Sequence, residues 1–272
     1  MNLIESYLTK NPYYAKNQNP TDVRYKNYQK AGAKGIMLHS VGTPQPDATV
    51  FVRKWNNPTY EAACVHAFID ANNGAIYNTM PWGYRAPHCG GDANNTHIGV
   101  EMCEPDCIKY IGGATFTCSD TEKARAMVKR TYDAAVELFA YLCQMYNLDP
   151  LADGVIISHK EGHLRGVASN HADPEHLWTQ LKTGDTMDGF RKDVAKAMEQ
   201  KPEEESEMRY NTLGDLKADK NGAKYYLPTV EKLMEKDILR GRGGTGDNTI
   251  IDLGEDALRV LVTLDRAGVY GD

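Results

Sequence analysis

The chain has 272 residues, which suggests one large domain or two smaller ones at ~150 residues each. Apolar residues make up 41% and charged residues 25%, enough for a sizeable core, while a net charge of −6 without local basic clusters gives no electrostatic reason to expect nucleic acid or an anionic membrane as partner. No stretch approaches the ~20 apolar residues of a membrane helix, and the opening MNLIESYLTK has neither a basic leader nor a signal-length apolar run, so the expectation is a soluble protein made in the cytoplasm without a signal peptide.

Along the chain, KGIMLH (34–39) is a short apolar run ending in a polar residue and reads as a buried strand. VHAFID and AIYNTM, separated by Asn72, Asn73 and Gly74, read as a hairpin, because Asn and Gly tolerate the positive φ of a tight turn. HIGVEM (97–102) and GVIISH (154–159) are further strands. Between them lies the clearest helix. Ser119 and Glu122 have capping-box spacing, and Ala124, Met127, Val128, Ala135, Leu138, Phe139, Leu142 and Met145 then recur three and four apart, one apolar stripe facing a core. A second helix is expected over 188–198. Strands and helices alternate, so the first domain, 1–198, is α/β.

EQKPEEESE is acidic, contains Pro and lacks apolar periodicity, so 199–208 reads as a linker. The remainder, 209–272, carries two helical patterns, over 227–238 and 255–267, around the Gly-rich GRGGTGDNT. It is expected to be a small helical domain, too short to bury much surface alone. The six cysteines (Cys64, Cys89, Cys103, Cys107, Cys118 and Cys143) form no C-x-x-C pair, which favours reduced structural thiols over a metal site.

Three polar residues sit at or just beyond predicted strand ends: His39, His159 and, in SNHADPEHLW, Asp173. Two His and one Asp meet the requirement of a catalytic zinc for three N/O ligands and one open position. Glu101 lies within the apolar HIGVEM strand, where a carboxylate is costly to bury without a partner; it suits a general base toward the attacking water. His171, two residues before Asp173, could reach the oxygen that becomes negative when a carbonyl is attacked. Each has a plainer reading as well: a structural histidine, a turn aspartate, a solvent-facing glutamate.

The order of GIMLHS, VHAFID with NGAIYNTM, APHCGG, NNTHIGVEM, and GVIISH leading to SNHADPEHLW resembles the type-2 N-acetylmuramoyl-L-alanine amidases, a family that includes phage endolysins and is related to peptidoglycan recognition proteins. The resemblance covers roughly residues 30 to 180. It implies a central mixed β-sheet flanked by helices, with Zn2+ held by His39, His159 and Asp173 in a groove. It implies Glu101 as the carboxylate that activates water, and places His171 where many members have a transition-state-stabilising Lys. His88 aligns with a histidine of the substrate cleft, with Asn94 and His66 as further rim candidates. His163 and His176 are the alternatives to His159, with a rim role preferred for both; His159 is favoured because it directly ends the apolar strand, leaving GHLRGVASN as a loop beside the groove.

What the resemblance implies is cleavage of bacterial peptidoglycan between glycan and stem peptide, in an endolysin that acts on the cell wall after release. Two other readings compete. One is a non-catalytic peptidoglycan-binding protein. The other is a metallohydrolase built on His159 and His163 sharing one helix face, against which Gly162 argues. The C-terminal segment somewhat resembles an S-layer-homology unit, which points to wall binding; a homodimer through the same segment is the alternative.

Overall fold

Strand β1 (Leu3–Glu5) precedes two short helices, α1 (Pro12–Gln18) and α2 (Val23–Ala31), capped by the side chains of Asn11 and Asp22. The predicted apolar run becomes β2 (Gly35–Ser40), buried along its whole length, as a strand covered on both faces must be. Helix α3 (Ala48–Trp55) follows, then the expected hairpin of β3 (Ala67–Ile69) and β4 (Ile76–Asn78), whose turn is held by the Asp70 carboxylate accepting from the Asn72 and Asn73 N–H groups. Next come β5 (His97–Met102), a hairpin of β6 (Ile108–Gly112) and β7 (Thr115–Cys118), and the long helix α4 (Thr121–Tyr146). β8 (Ile156–Ser158), α5 (His159–Leu164), α6 (Glu175–Leu181) and α7 (Met187–Glu199) complete this part.

The computed structural model describes residues 1–199 and 209–271. Apart from Glu199, the predicted linker lies outside the described residues. The chain divides into two compact units, Met1–Gln200 and Lys201–Asp272.

The first unit is built on one sheet of order β1-β4-β3-β5-β2-β8, in which only the β3–β4 pair is antiparallel. This is the expected central mixed sheet flanked by helices. α4 lays Ala124, Val128, Leu138, Phe139 and Leu142 into the main core and packs against α6 and α7. Its cap differs from the expected one: Asp120, not Ser119, accepts from the Lys123 N–H, and Asn147 closes the far end in a left-handed conformation. The β6–β7 hairpin is a feature the periodicity did not reveal.

The parallel register puts the site together. His39 on β2 lies opposite Glu101 on β5, and Leu38 lies opposite Ser158 on β8, so His159 follows beside His39. The carboxyl ends of parallel strands are where α/β sheets place their ligands. Contrary to the expected loop, His159 opens a helix. Ser158 and Glu161 form a capping box there. Gly162 packs closely here: a Cβ on it would meet Met37 Cε at 2.8 Å and Ala168 Cβ at 3.0 Å.

The second unit has its own core, including Tyr210, Leu216, Val230, Ile251 and Leu258. It contains β9 (Arg209–Thr212), α8 (Leu213–Ala218), a π turn at Gly222–Tyr226, α9 (Leu227–Glu235), β10 (Ile250–Gly254) and α10 (Glu255–Arg266). Both expected helices are present. The antiparallel β9–β10 pair adds a two-stranded sheet to what read as helical alone; strands of four and five residues carry too little alternation to be read.

Candidate metal centre and catalytic groove

His39 and His159 bring their Nδ1 atoms within 3.0 Å of each other. The Asp173 carboxylate closes the cluster, with Oδ2 3.4 Å from His39 Nδ1 and Oδ1 3.6 Å from His159 Nδ1. All three residues are buried. They are the one such group of metal-binding side chains among the described residues. None of the six cysteines joins it, and all six are free thiols. A groove of about 880 Å³ lies over the cluster, lined among others by Glu101, His159, Ser169, His171, Asp173 and His176.

Two hydrogen-bond chains aim the histidines. His88 Nε2 lies 3.1 Å from the His97 carbonyl and must donate to it. Burial, with His39 and His66 nearby, drives the His88 pKa well down, so the ring is neutral and its Nδ1 accepts. His39 Nε2, 2.9 Å away, is therefore the donor, and His39 Nδ1 presents its lone pair to the cluster. On the other side the Ser169 hydroxyl donates to the Cys89 carbonyl at 3.0 Å and accepts from His159 Nε2 at 3.2 Å. That leaves His159 Nδ1 facing the centre. Hydrogen positions are assigned here from the partners each atom meets. Gly99 makes the first chain possible: a Cβ there would stand 2.3 Å from the His88 ring.

The electrostatics match. Burial lowers the His39 pKa against the pull of Asp173, keeping the ring a neutral donor of its lone pair. Burial alone would raise Asp173, but the adjacent His159 and His39 rings outweigh it and hold the carboxyl well below its usual range. Glu101 is the opposite case. Burial pushes its pKa well up, and the neighbouring Asp173 and Glu104 carboxylates push the same way. Its Oε2 is buried without a hydrogen-bond partner, an unusual expense in a folded protein. Glu104, fully buried, is raised by burial to about 7 although Tyr110, Ser40 and the Gly42 N–H all donate to it.

His171 is exposed on the groove, its Nδ1 3.2 Å from His159 Nε2 and 3.1 Å from Ser169 Oγ. Of the alternatives to His159, His176 lines the groove and bonds Tyr110 at 2.7 Å, whereas His163 is exposed on α5 and outside the groove. Of the three rim candidates, His88 lines the groove, whereas His66 and Asn94 do not. His66 is fully buried, accepting from the Gly99 N–H at Nδ1 and donating to the Tyr84 carbonyl at Nε2, so no nitrogen remains for a substrate. Asn94 spends its side-chain oxygen on the His88 and Cys89 N–H groups and shapes their loop. His88 borders the groove, but its nitrogens serve His39 and His97. Sequence reading missed Tyr110, Glu104 and Ser169. Only the fold brings the β6 strand and the 165–170 loop over the cluster.

His66 gives a pH prediction. Burial lowers its pKa from 6.5 to about 4. A depressed folded pKa means the unfolded chain binds the proton first as pH falls, so the stabilisation is complete above pH ~6.5 and is lost on the way down through about 4. Its size is on the order of 3 kcal/mol. Urea unfolding measured across this window should show a shallower pH slope in His66→Gln, whose amide does not titrate; an unchanged slope rules the attribution out.

Residues 27–176 match the family model described as N-acetylmuramoyl-L-alanine amidase. Among solved structures the chain is similar to the hydrolase AmiA of Staphylococcus aureus, at 20% identity and a TM-score of 0.52, over 72% of this chain and 82% of that one. It is also similar to the PlyG catalytic domain, at 18% identity and a TM-score of 0.47, over 73% of this chain and 96% of that one. For the amidase AmiD from E. coli the values are 17% and 0.37, over 56% of each chain. No curated protein matches the chain. The AmiA likeness is one of fold.

Proposed function

The chain belongs to the N-acetylmuramoyl-L-alanine amidase family, and from that premise we propose that it hydrolyses the lactyl-amide bond between N-acetylmuramic acid and L-alanine in bacterial peptidoglycan with the help of Zn2+. The observation that carries this reading is the His39–His159–Asp173 cluster beside the orphaned Glu101 oxygen in one groove.

The donor set fits the ion. Bonds of ~2 Å around a tetrahedral zinc separate its ligand atoms by roughly 3.3 Å; the two Nδ1 atoms lie 3.0 Å apart, with one Asp173 oxygen 3.4 Å from His39 Nδ1 and the other 3.6 Å from His159 Nδ1. His39, His159 and Asp173 would hold it. Zinc, when bound, supplies positive charge that polarises the scissile carbonyl and makes the attacking water more acidic.

The chain's own residues do the rest. Glu101 takes the proton of the attacking water and then delivers it to the leaving nitrogen of L-alanine. Its raised pKa suits it to keep the proton between these steps. His171 donates from its ring to the oxygen that becomes negative.

Purified Gram-positive cell walls should lose turbidity and gain free L-alanine amino groups without new reducing ends. Reducing ends instead would make the protein a glycosidase and overturn the proposal. The endolysin role adds host lysis to wall cleavage, and intact cells exposed to the protein test it. For the second unit, wall attachment is the reading that complements a wall-cutting unit. Sedimentation of the full chain with purified walls checks it, with a concentration-dependent dimer as the competing result.

The second-layer histidine also predicts a measurable effect. His88→Phe should weaken zinc binding ~10–100-fold, as loss of a ligand's hydrogen-bond partner typically does. Competition with a chromophoric chelator reads this out, and equal affinity in wild type and variant would show that His39 needs no help from His88.

A further inference from the structure

No basic cluster is visible along the sequence, yet the fold assembles one next to the groove. A separate pocket of about 440 Å³ is lined by Lys16, Asp22, Arg24, Tyr25, Arg85 and Pro87, among others. Arg85 is only 6% exposed. Its Nε donates to Asn95 at 2.8 Å and its guanidinium lies 5.0 Å from the centre of the Tyr25 ring. It forms no ion pair with a carboxylate among the described residues, although a buried charge is normally paired. Asn17 fixes the Arg85 backbone from both sides, accepting from its N–H at 2.8 Å and donating to its carbonyl at 2.9 Å. Lys16 and Arg24 add two exposed cations. The only carboxylate in the lining, Asp22, is held by Arg24, which keeps its pKa down at about 2. Three cations thus share the lining with one carboxylate, an excess of two positive charges in a protein whose net charge is −6.

Two facts say what this pocket serves. Pro87 lines both the pocket and the catalytic groove, so the two share a wall. Arg85 also stands three residues before His88, no more than ~10 Å of extended chain away. Moreover, Lys16, Asp22, Arg24 and Tyr25 all precede residue 27, where the match to the family begins. The pocket joins residues of the N-terminal helices to Arg85 and Pro87, which lie within the matched range.

We propose that the pocket is an anion subsite that binds a carboxylate of the peptide portion of the substrate, extending out of the groove past Pro87. This inference rests on the proposed amidase function. Arg85 offers the buried, oriented guanidinium for a two-pronged contact, and Lys16 and Arg24 supply charge at the mouth.

The test is calorimetric binding to the full-length protein, so it does not depend on turnover. The probes are a stem peptide with a free C-terminal carboxylate and the same peptide as its amide. The acid form should bind roughly tenfold more tightly. The advantage should vanish in Arg85→Gln and shrink in Lys16→Gln; the second variant alters only an exposed side chain and leaves the packing over Tyr25 intact. Equal affinity for acid and amide overturns the subsite. Displacement by inorganic phosphate without discrimination between the two peptides overturns the peptide assignment in favour of a phosphate. Release of amino groups from walls, measured separately, reports on the amidase reading alone.

Discussion

Glu101→Gln is expected to lower the rate of amide hydrolysis by ~10²–10⁴-fold, the span usual for removing a positioned general acid–base, with zinc content unchanged. The glutamine keeps the shape of the side chain and loses only its proton-transfer capacity. Glu101 lies opposite His39 in the parallel β2–β5 register but is not among the three clustered side chains, so metal binding should survive. Its Oε2 has no protein partner to lose, and an amide avoids burying charge beside Asp173 and Glu104. The variant should therefore be at least as stable as the wild type. Metal analysis, a thermal melt and the amino-group assay on one preparation separate these effects. Near-normal turnover would remove Glu101 from the chemistry and turn attention to Glu104 and Tyr110.

Loss of a ligand should behave differently. Asp173→Ala is expected to abolish zinc retention and activity together. Structural sites bind zinc with ~10–16 kcal/mol shared among their ligands, so one ligand accounts for about 3 kcal/mol, at least ~100-fold in affinity. Asp173 is also the single anion between two buried imidazoles, and its Oδ2 accepts from the Ser40 N–H at 3.3 Å. Asp173→Asn keeps that acceptor and removes the charge, which separates the electrostatic part of the loss from local disorder. Chelator treatment of the wild type should reproduce the inactive state, and added zinc should reverse it there but not in Asp173→Ala. An alanine variant that keeps one zinc per chain would exclude Asp173 as a ligand.

Much of the site was legible because local pattern and chemistry coincide in it. His39, Glu101 and His159 each stand at or within an apolar strand, and a polar group in such a run has few purposes. The helix α4, the β3–β4 hairpin and the two helices of the second unit were readable for the same reason: their periods repeat within one continuous stretch. The orientation of the rim candidates was not legible, because residue type and position say nothing of which way a side chain turns. His66 and Asn94 turn inward to backbone groups of neighbouring loops, and His88 turns toward His39 rather than the solvent. The helix at His159 was missed because its glycine argues against helix on propensity alone, whereas the capping box of Ser158 and Glu161 supports the turn.

The sequence by itself determined the layered α/β class, since that follows from periodicity over short spans, whereas His39, His159 and Asp173 were singled out together through the resemblance to the amidases. Tertiary structure alone decided which nitrogen of each histidine faces the centre, because that depends on His97 of β5 and on Ser169 and Cys89, which arrive from two separate loops. It also decided that Lys16, Arg24 and Arg85 share a pocket. Charges scattered along a chain act together only once folding removes the distance and much of the water between them.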